Sequence, residues 1–222
     1  MLGILITGGE GPEPEALKKI AQGADILAAA DSGLIAAERA GLRPDWIVGD
    51  MDSLGTVGSQ DGLAMLDKYP AGRVIRYPPE KDFTDTELAL RLLREKGCDV
   101  IRIAGGGGGR MDHLFAIRSL FERENPPQSW FTANEEIHCL EEGAAFGGGC
   151  RALSCGIIPF ISVFPLGAGP WEAESSGLKW PLAGLSWDRG AFGVSNVITE
   201  SPFEIRSARG RFMVIIVKVH KR

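Results

Sequence analysis

The first 133 or so residues repeat one pattern, a short apolar run, a loop of polar residues or glycine, then a segment with helical spacing. Residues 2–6 form the first run and end at Thr7-Gly8-Gly9, ahead of a helix-like stretch over 14–22 with Pro14 in its first turn. Residues 25–30 lead into Asp31-Ser32-Gly33 and a helix that stops at Gly41. Residues 46–48 lead into GDMDS, and 73–77 into PPEKDFTD and a helix over 84–96. Residues 100–104 lead into GGGGGRMDH and a helix running to about Arg123. Repeated strand–helix units call for a parallel sheet with helices on both faces, a three-layer α/β domain. In such a sheet the loops that follow the strands share one edge, where ligands bind. Every unusual polar cluster in this half falls in one of those loops.

After about Asn134 the pattern changes. Strand-like runs at 136–140, 150–154, 157–164, 193–198, 203–206 and 211–220 are separated by Gly, Pro and Ser, with no amphipathic helix between them. They predict a small antiparallel β-sandwich. The expected division is an α/β domain over 1–133 and a β domain over 134–222, with ENPPQ at 124–128 as the turn that ends the last helix.

Composition narrows the function. A net charge of −5 and a pI near 5.3 argue against a nucleic-acid-binding surface. Cys98, Cys139, Cys150 and Cys155 lack CxxC spacing and a matched His pair, so neither zinc nor a disulfide framework is expected. The opening residues do not read as a secretory leader, and no run reaches the roughly 18 apolar residues of a membrane span. The cytoplasm is the expected location. Thirty glycines among 222 residues is about twice the usual share. Their clusters are either flexible loops or places where backbone approaches something closely.

Asp50 and Asp52 lie two residues apart, so on extended backbone both carboxylates face one way. They fit Mg²⁺, which takes oxygen ligands and is commonly shared with substrate phosphates. They also fit a solvated acidic turn. Thr84 with Glu87 makes a capping box, while Lys81, Asp82, Thr84 and Asp85 together fit a phosphate site at a helix N-terminus. The glycines at 105–109 could cup a phosphate with their amides, and the planar fork of Arg110 could clamp one. Asp112 adds another acid, His113 alone reads as structural, and Asp31 reads equally as a ligand-edge acid or a helix cap.

Taken in order, ADSG (30–33), PDWIVGDMDSL (44–54), KDFTDTELAL (81–90) and GGGGGRMDHL (105–114) resemble thiamine pyrophosphokinases. ISVFPL (161–166), SSGLKWPL (175–182) and GVSNVI (193–198) are similar to the second domain of the same family, so the resemblance covers nearly the whole chain. It implies transfer of the diphosphoryl group of ATP to the hydroxyl of thiamine, in a homodimer with active sites at the subunit interface. It matches Asp50, Asp52 and Asp85 to the Mg²⁺/ATP acids, and Lys81, Thr84 and Arg110 to polyphosphate contacts, with Asp31 joining the ATP site. It sets Asp112 near the reacting centre and Trp180 as an aromatic wall for thiamine, with Ser195 and Asn196 nearby.

An indole face suits the cationic thiazolium, although Trp180 also fits ordinary sandwich core. Met51 stands where the family more often has an aromatic, and residues 167–176 have no firm match. A diphosphokinase for another hydroxymethyl heterocycle, such as a pterin, would share the acids but need not share GLKW and SN. A nucleotide- or metal-binding module without turnover would not require so many acids together with Lys81 and Arg110. A DxD glycosyltransferase has only GDMDS in its favour.

Overall fold

A computed structural model describes residues 1–52, 54, 64–149 and 160–217. The chain divides into two compact units, Met1–Leu120 with Trp130–Ala133, and Phe121–Ser129 with Asn134–Arg222.

The first unit carries β1 (Leu2–Ile6), β2 (Ile26–Ala30), β3 (Trp46–Gly49), β4 (Val74–Arg76) and β5 (Val100–Ala104), in the parallel order β5-β1-β2-β3-β4. The strands are apolar on both faces because helices cover both. Ile4 and Ile6 of β1, with Leu27 of β2, pack against Leu17 of α1 (Pro14–Ala21) and Ala37 of α2 (Gly33–Arg39). On the opposite face a Cβ at Gly3 would meet Leu93 of α3 (Asp85–Glu95), so glycine lets that helix lie close. The amphipathic α3 buries Leu88, Ala89, Leu92 and Leu93 and is capped by Thr84, whose hydroxyl accepts the Glu87 N–H at 3.2 Å. A fourth helix, α4 (Met111–Leu120), buries only Ile117 and Leu120.

In this unit the expected helix and strand ends shift by a residue or two, and α4 stops at Leu120, short of Arg123. A further strand, β6 (Ser129–Phe131), follows the Pro-rich turn and was not anticipated. In the first unit, Phe131 accepts the Gly105 N–H and the Trp130 indole donates to the Gly105 carbonyl at 2.7 Å.

The second unit is a sandwich of two antiparallel sheets. One has the order β11-β9-β13-β7, from β7 (Glu135–Leu140), β9 (Phe160–Leu166), β11 (Gly193–Val197) and β13 (Arg211–Val217). The other is β10-β12-β8, from β8 (Ala145–Gly148), β10 (Glu172–Ser176) and β12 (Phe203–Arg209). Leu140, Ile161, Val163, Phe212 and Val214 of the first sheet meet Ala173, Phe203 and Ile205 of the second. Trp187 closes this core edge-on to Phe212, with ring centroids 5.2 Å apart.

β8 and β10 went unrecognised in the sequence because AFGG and EAESS carry little apolar alternation. The strand expected at 150–154, the start of that at 157–164 and the end of that at 211–220 lie outside the described residues, as do Ser53, Cys150 and Cys155.

Candidate active site

Three loops at the C-terminal ends of β2, β3 and β4 bring acids together. Asp31 follows β2, Asp50 follows β3, and Asp85 opens α3 after the β4 loop. One carboxylate oxygen from each lies within 4.8 Å of the other two. Lys81, from the loop before α3, sits among them, its ammonium 2.9 Å from Asp50 Oδ2 and 3.1 Å from Asp85 Oδ1. All three of these side chains are largely buried, between 11% and 16% exposed.

The backbone is held in uncommon conformations around this cluster. Asp31 has φ 50° and Met51 φ 68°, in the left-handed region that residues other than glycine seldom occupy. Asp31 Oδ1 accepts the Met51 N–H at 3.2 Å, so its side chain serves the next loop and does not cap α2. A Cβ on Gly49 would come within 2.4 Å of Asp31 Oδ1, so a glycine is needed there for the acids to approach one another. Nothing in the sequence except the Gly-Asp junction marked that requirement.

The turn at Met51 also corrects the expectation for DMD. The chain is not extended there, but the Asp52 side chain still lies within hydrogen-bonding reach of Asp50. Asp52 is exposed, and its N–H donates to Asp50 Oδ1 at 3.2 Å. The converging trio is Asp31, Asp50 and Asp85.

Charge in this confined space shifts the acids in opposite directions. Burial, then repulsion from Asp85 and Asp50, pushes the Asp31 carboxyl up to about 7. Asp50 is held below the usual carboxylate range, chiefly by its hydrogen bond to Lys81. Burial alone would lower Lys81, but its bonds to Asp50 and Asp85 outweigh burial and raise it. Asp85 Oδ1 is buried and makes no well-aligned hydrogen bond despite its contact with Lys81. A donor set made wholly of carboxylate oxygens, with one buried oxygen short of a partner and a glycine clearing the space, fits a hard divalent cation.

The glycine loop after β5 has a different task from the one expected. The Gly106 N–H donates to Gly8 O at 2.7 Å, Gly107 N–H to Glu10 O at 2.8 Å, and Glu10 N–H returns to Gly107 O at 2.7 Å. With the Gly105 N–H on Phe131 O, three of the five amides bind backbone, so they are not available to cup a phosphate. A Cβ at Gly105 would stand 2.1 Å from Thr7 O. Gly105 and Gly107 therefore serve close backbone approach.

Past them, Arg110 and Asp112 form an exposed bidentate pair at 3.1 and 2.5 Å. That bond holds Asp112 below and Arg110 above their usual ranges. His113 contributes its backbone N–H to Asp112 Oδ1. Sequence reasoning missed the Thr7–Thr86 hydroxyl pair at 2.7 Å, which ties the first loop to α3. No local pattern announces it.

In the second unit Trp180 is 53% exposed, which answers whether it is sandwich core. Buried Asn196 holds its backbone from both sides, Oδ1 accepting Trp180 N–H at 3.2 Å and Nδ2 donating to Trp180 O at 2.6 Å. Ser195 beside it has φ 59° and lies at a bulge in the β11–β9 pairing. The Lys179 ammonium lies 4.6 Å from the centre of the Trp180 ring.

Among the described residues no helix is long and apolar enough to cross a membrane. Residues 17–128 match the family described as "Thiamin pyrophosphokinase, catalytic domain". A thiamine pyrophosphokinase of Bacillus subtilis is 40% identical over 84 residues, a stretch covering 38% of this chain and 37% of that protein. The crystal structure of thiamine pyrophosphokinase from Bacillus subtilis aligns with a TM-score of 0.79 at 20% identity, over 99% of this chain and 100% of that one. Thiamin pyrophosphokinase from Candida albicans aligns with a TM-score of 0.76 at 19% identity, over 98% and 89%. At such identities these structures establish the shared fold, a mixed sheet with helices and a separate antiparallel sheet. With half of its residues matched to the family, and with that fold, the chain belongs to the thiamin pyrophosphokinases.

Proposed function

We propose that this protein is a thiamine diphosphokinase, transferring the diphosphoryl group of ATP to the primary hydroxyl of thiamine and releasing AMP. The observation that carries the reading is the convergence of Asp31, Asp50 and Asp85 around Lys81 in a member of this family. Asp50 and Asp85, with Asp52 and Asp31 beside them, are the residues to hold Mg²⁺. When bound, the ion supplies positive charge to the polyphosphate.

The chain's own groups do the rest. Lys81 and Arg110 offer donors to phosphate oxygens, and the Thr84 hydroxyl stands at the N-terminus of α3, where the helix dipole favours an anion. As the thiamine oxygen attacks the β-phosphorus and the bond to the AMP oxygen breaks, Asp112 accepts the hydroxyl proton on a carboxylate oxygen. Its pairing with Arg110 keeps that carboxylate ionised, so position contributes more than basicity. The exposed indole of Trp180 takes the thiazolium cation, while Asn196 and Ser195 fix the frame around it. The same reading includes a homodimer with active sites at the subunit interface and a cytoplasmic location.

Purified protein incubated with ATP, Mg²⁺ and thiamine is expected to yield AMP and thiamine diphosphate in equal amounts. AMP released only when another hydroxymethyl heterocycle replaces thiamine would overturn the substrate. No AMP with any such alcohol would overturn the reaction.

A further inference from the structure

Three carboxylates face one ammonium, and four side chains of one sign and the other share a largely buried space. Lys81 meets two of the three acids, in the place between Asp50 and Asp85 that bridges their inward oxygens. An ammonium is a compact point charge on a flexible four-carbon stem, and here that stem rises from a loop rather than from a helix or strand.

We propose that Lys81 is an internal stand-in for the divalent cation. It holds the carboxylates together while no metal is bound and must leave when one arrives. Two cations cannot share Asp50 and Asp85 at contact distance without strong repulsion in a partly buried site. Metal entry therefore expels the ammonium, and the freed Lys81 turns its charge to the incoming polyphosphate. Lys81 thereby links the two binding events. Metal without nucleotide binds weakly because it must displace Lys81, and nucleotide gives Lys81 a new partner and removes that cost. The observation behind this is the double contact of Lys81 with two acids of the trio, together with the buried Asp85 oxygen that lacks an aligned donor. The proposal rests on the reading that this cluster takes a divalent cation.

Direct Mn²⁺ titration by calorimetry, without nucleotide, compares the wild type with Lys81→Met and Lys81→Arg. Lys81→Met is expected to bind Mn²⁺ about tenfold more tightly, within the usual span of coupling between two ligands. Lys81→Arg, which keeps the charge, is expected to bind no more tightly than wild type. In EDTA, Lys81→Met is expected to melt below the wild type, and saturating Mn²⁺ is expected to close that gap. If Lys81→Met does not fold in EDTA, Lys81→Gln goes through the same titration. Wild-type binding with equal or weaker binding by the neutral variant overturns the stand-in role. No Mn²⁺ binding by either the wild type or the neutral variants overturns the cation reading itself, and the stand-in role falls with it.

Discussion

Two constellations of acid and cation lie in loops of the same unit, and the structure treats them in opposite ways. Lys81 with Asp50 and Asp85 is largely enclosed, whereas Arg110 and Asp112 are 71% and 62% exposed. At 4 Å a pair of unit charges interacts by about 1 kcal/mol in water and about 4 kcal/mol at the dielectric typical of partly buried pairs. Enclosure thus turns the first group into a site whose members reset one another, with Asp31 raised and Asp50 lowered. The second is a pair whose geometry water can loosen at little cost. The lesson is a division of labour, with the enclosed acids arranged beforehand and the exposed pair left to rearrange around whatever binds.

The sharpest way to break that comparison is to neutralise one member of each group. Asp50→Asn or Asp85→Asn is expected to lower kcat by about 10³-fold or more, as removal of charge from a metal-assisted site does. Asp52→Asn is expected to fall with them, and retention of most of its kcat would remove Asp52 from the metal set while leaving the trio. Asp112→Asn is expected to lower kcat by about 10²-fold, the scale of a general base, with an unchanged melting temperature because the side chain is exposed. Stopped-flow turnover and a thermal melt on each variant decide these points.

The two tryptophans of the second unit give an intermediate test. Trp187→Ala empties the sandwich core and is expected to cost about 3–5 kcal/mol in chemical unfolding. Trp180→Ala is expected to leave unfolding alone and to raise the KM for thiamine by roughly 10- to 30-fold, the value of a desolvated cation–π contact. A thiamine KM that stays at the wild-type value would sink the vitamin-wall assignment.

A further test is the pH dependence of stability in EDTA. Asp31 titrates near 7 folded and near 3.8 unfolded, so between those values the native state holds the extra proton. Its contribution is fully present below about 4 and is lost as pH rises through about 7. Stability of the metal-free protein should therefore fall over that window, and Asp31→Asn should flatten the slope. An identical slope in the variant would show that Asp31 titrates as an ordinary acid.

Much of this was legible because it rests on local chemistry. The parallel strands are read from unbroken apolar runs such as LGILI and ILAAA, and α3 from Thr84 and Glu87 at capping-box spacing. The membership of the acid cluster was only half legible. Asp50 and Asp85 follow from their place after strands, but the inclusion of Asp31 depends on positive φ at Asp31 and Met51. Asp enters that region more readily than most residues and Met seldom does, so residue type alone did not reveal the turn. The role of the glycine loop was hidden because its partners, Gly8 and Glu10, lie nearly a hundred residues earlier in the chain. β8 and β10 were hidden because their hydrogen bonds, and not their side chains, make them strands.

Asn196 grips residue 180 by its main chain, and that grip is indifferent to which side chain residue 180 bears. Position 180 therefore behaves as a socket. Phe, Tyr or a smaller residue can be fitted there without refolding the sandwich core, because the indole is exposed and its ring neighbour is the Lys179 ammonium. On the proposed reading of Trp180 as the thiamine wall, substrate range can drift at this one codon while the sandwich keeps its stability. A library confined to position 180 would be a cheap route to enzymes for altered vitamin analogues.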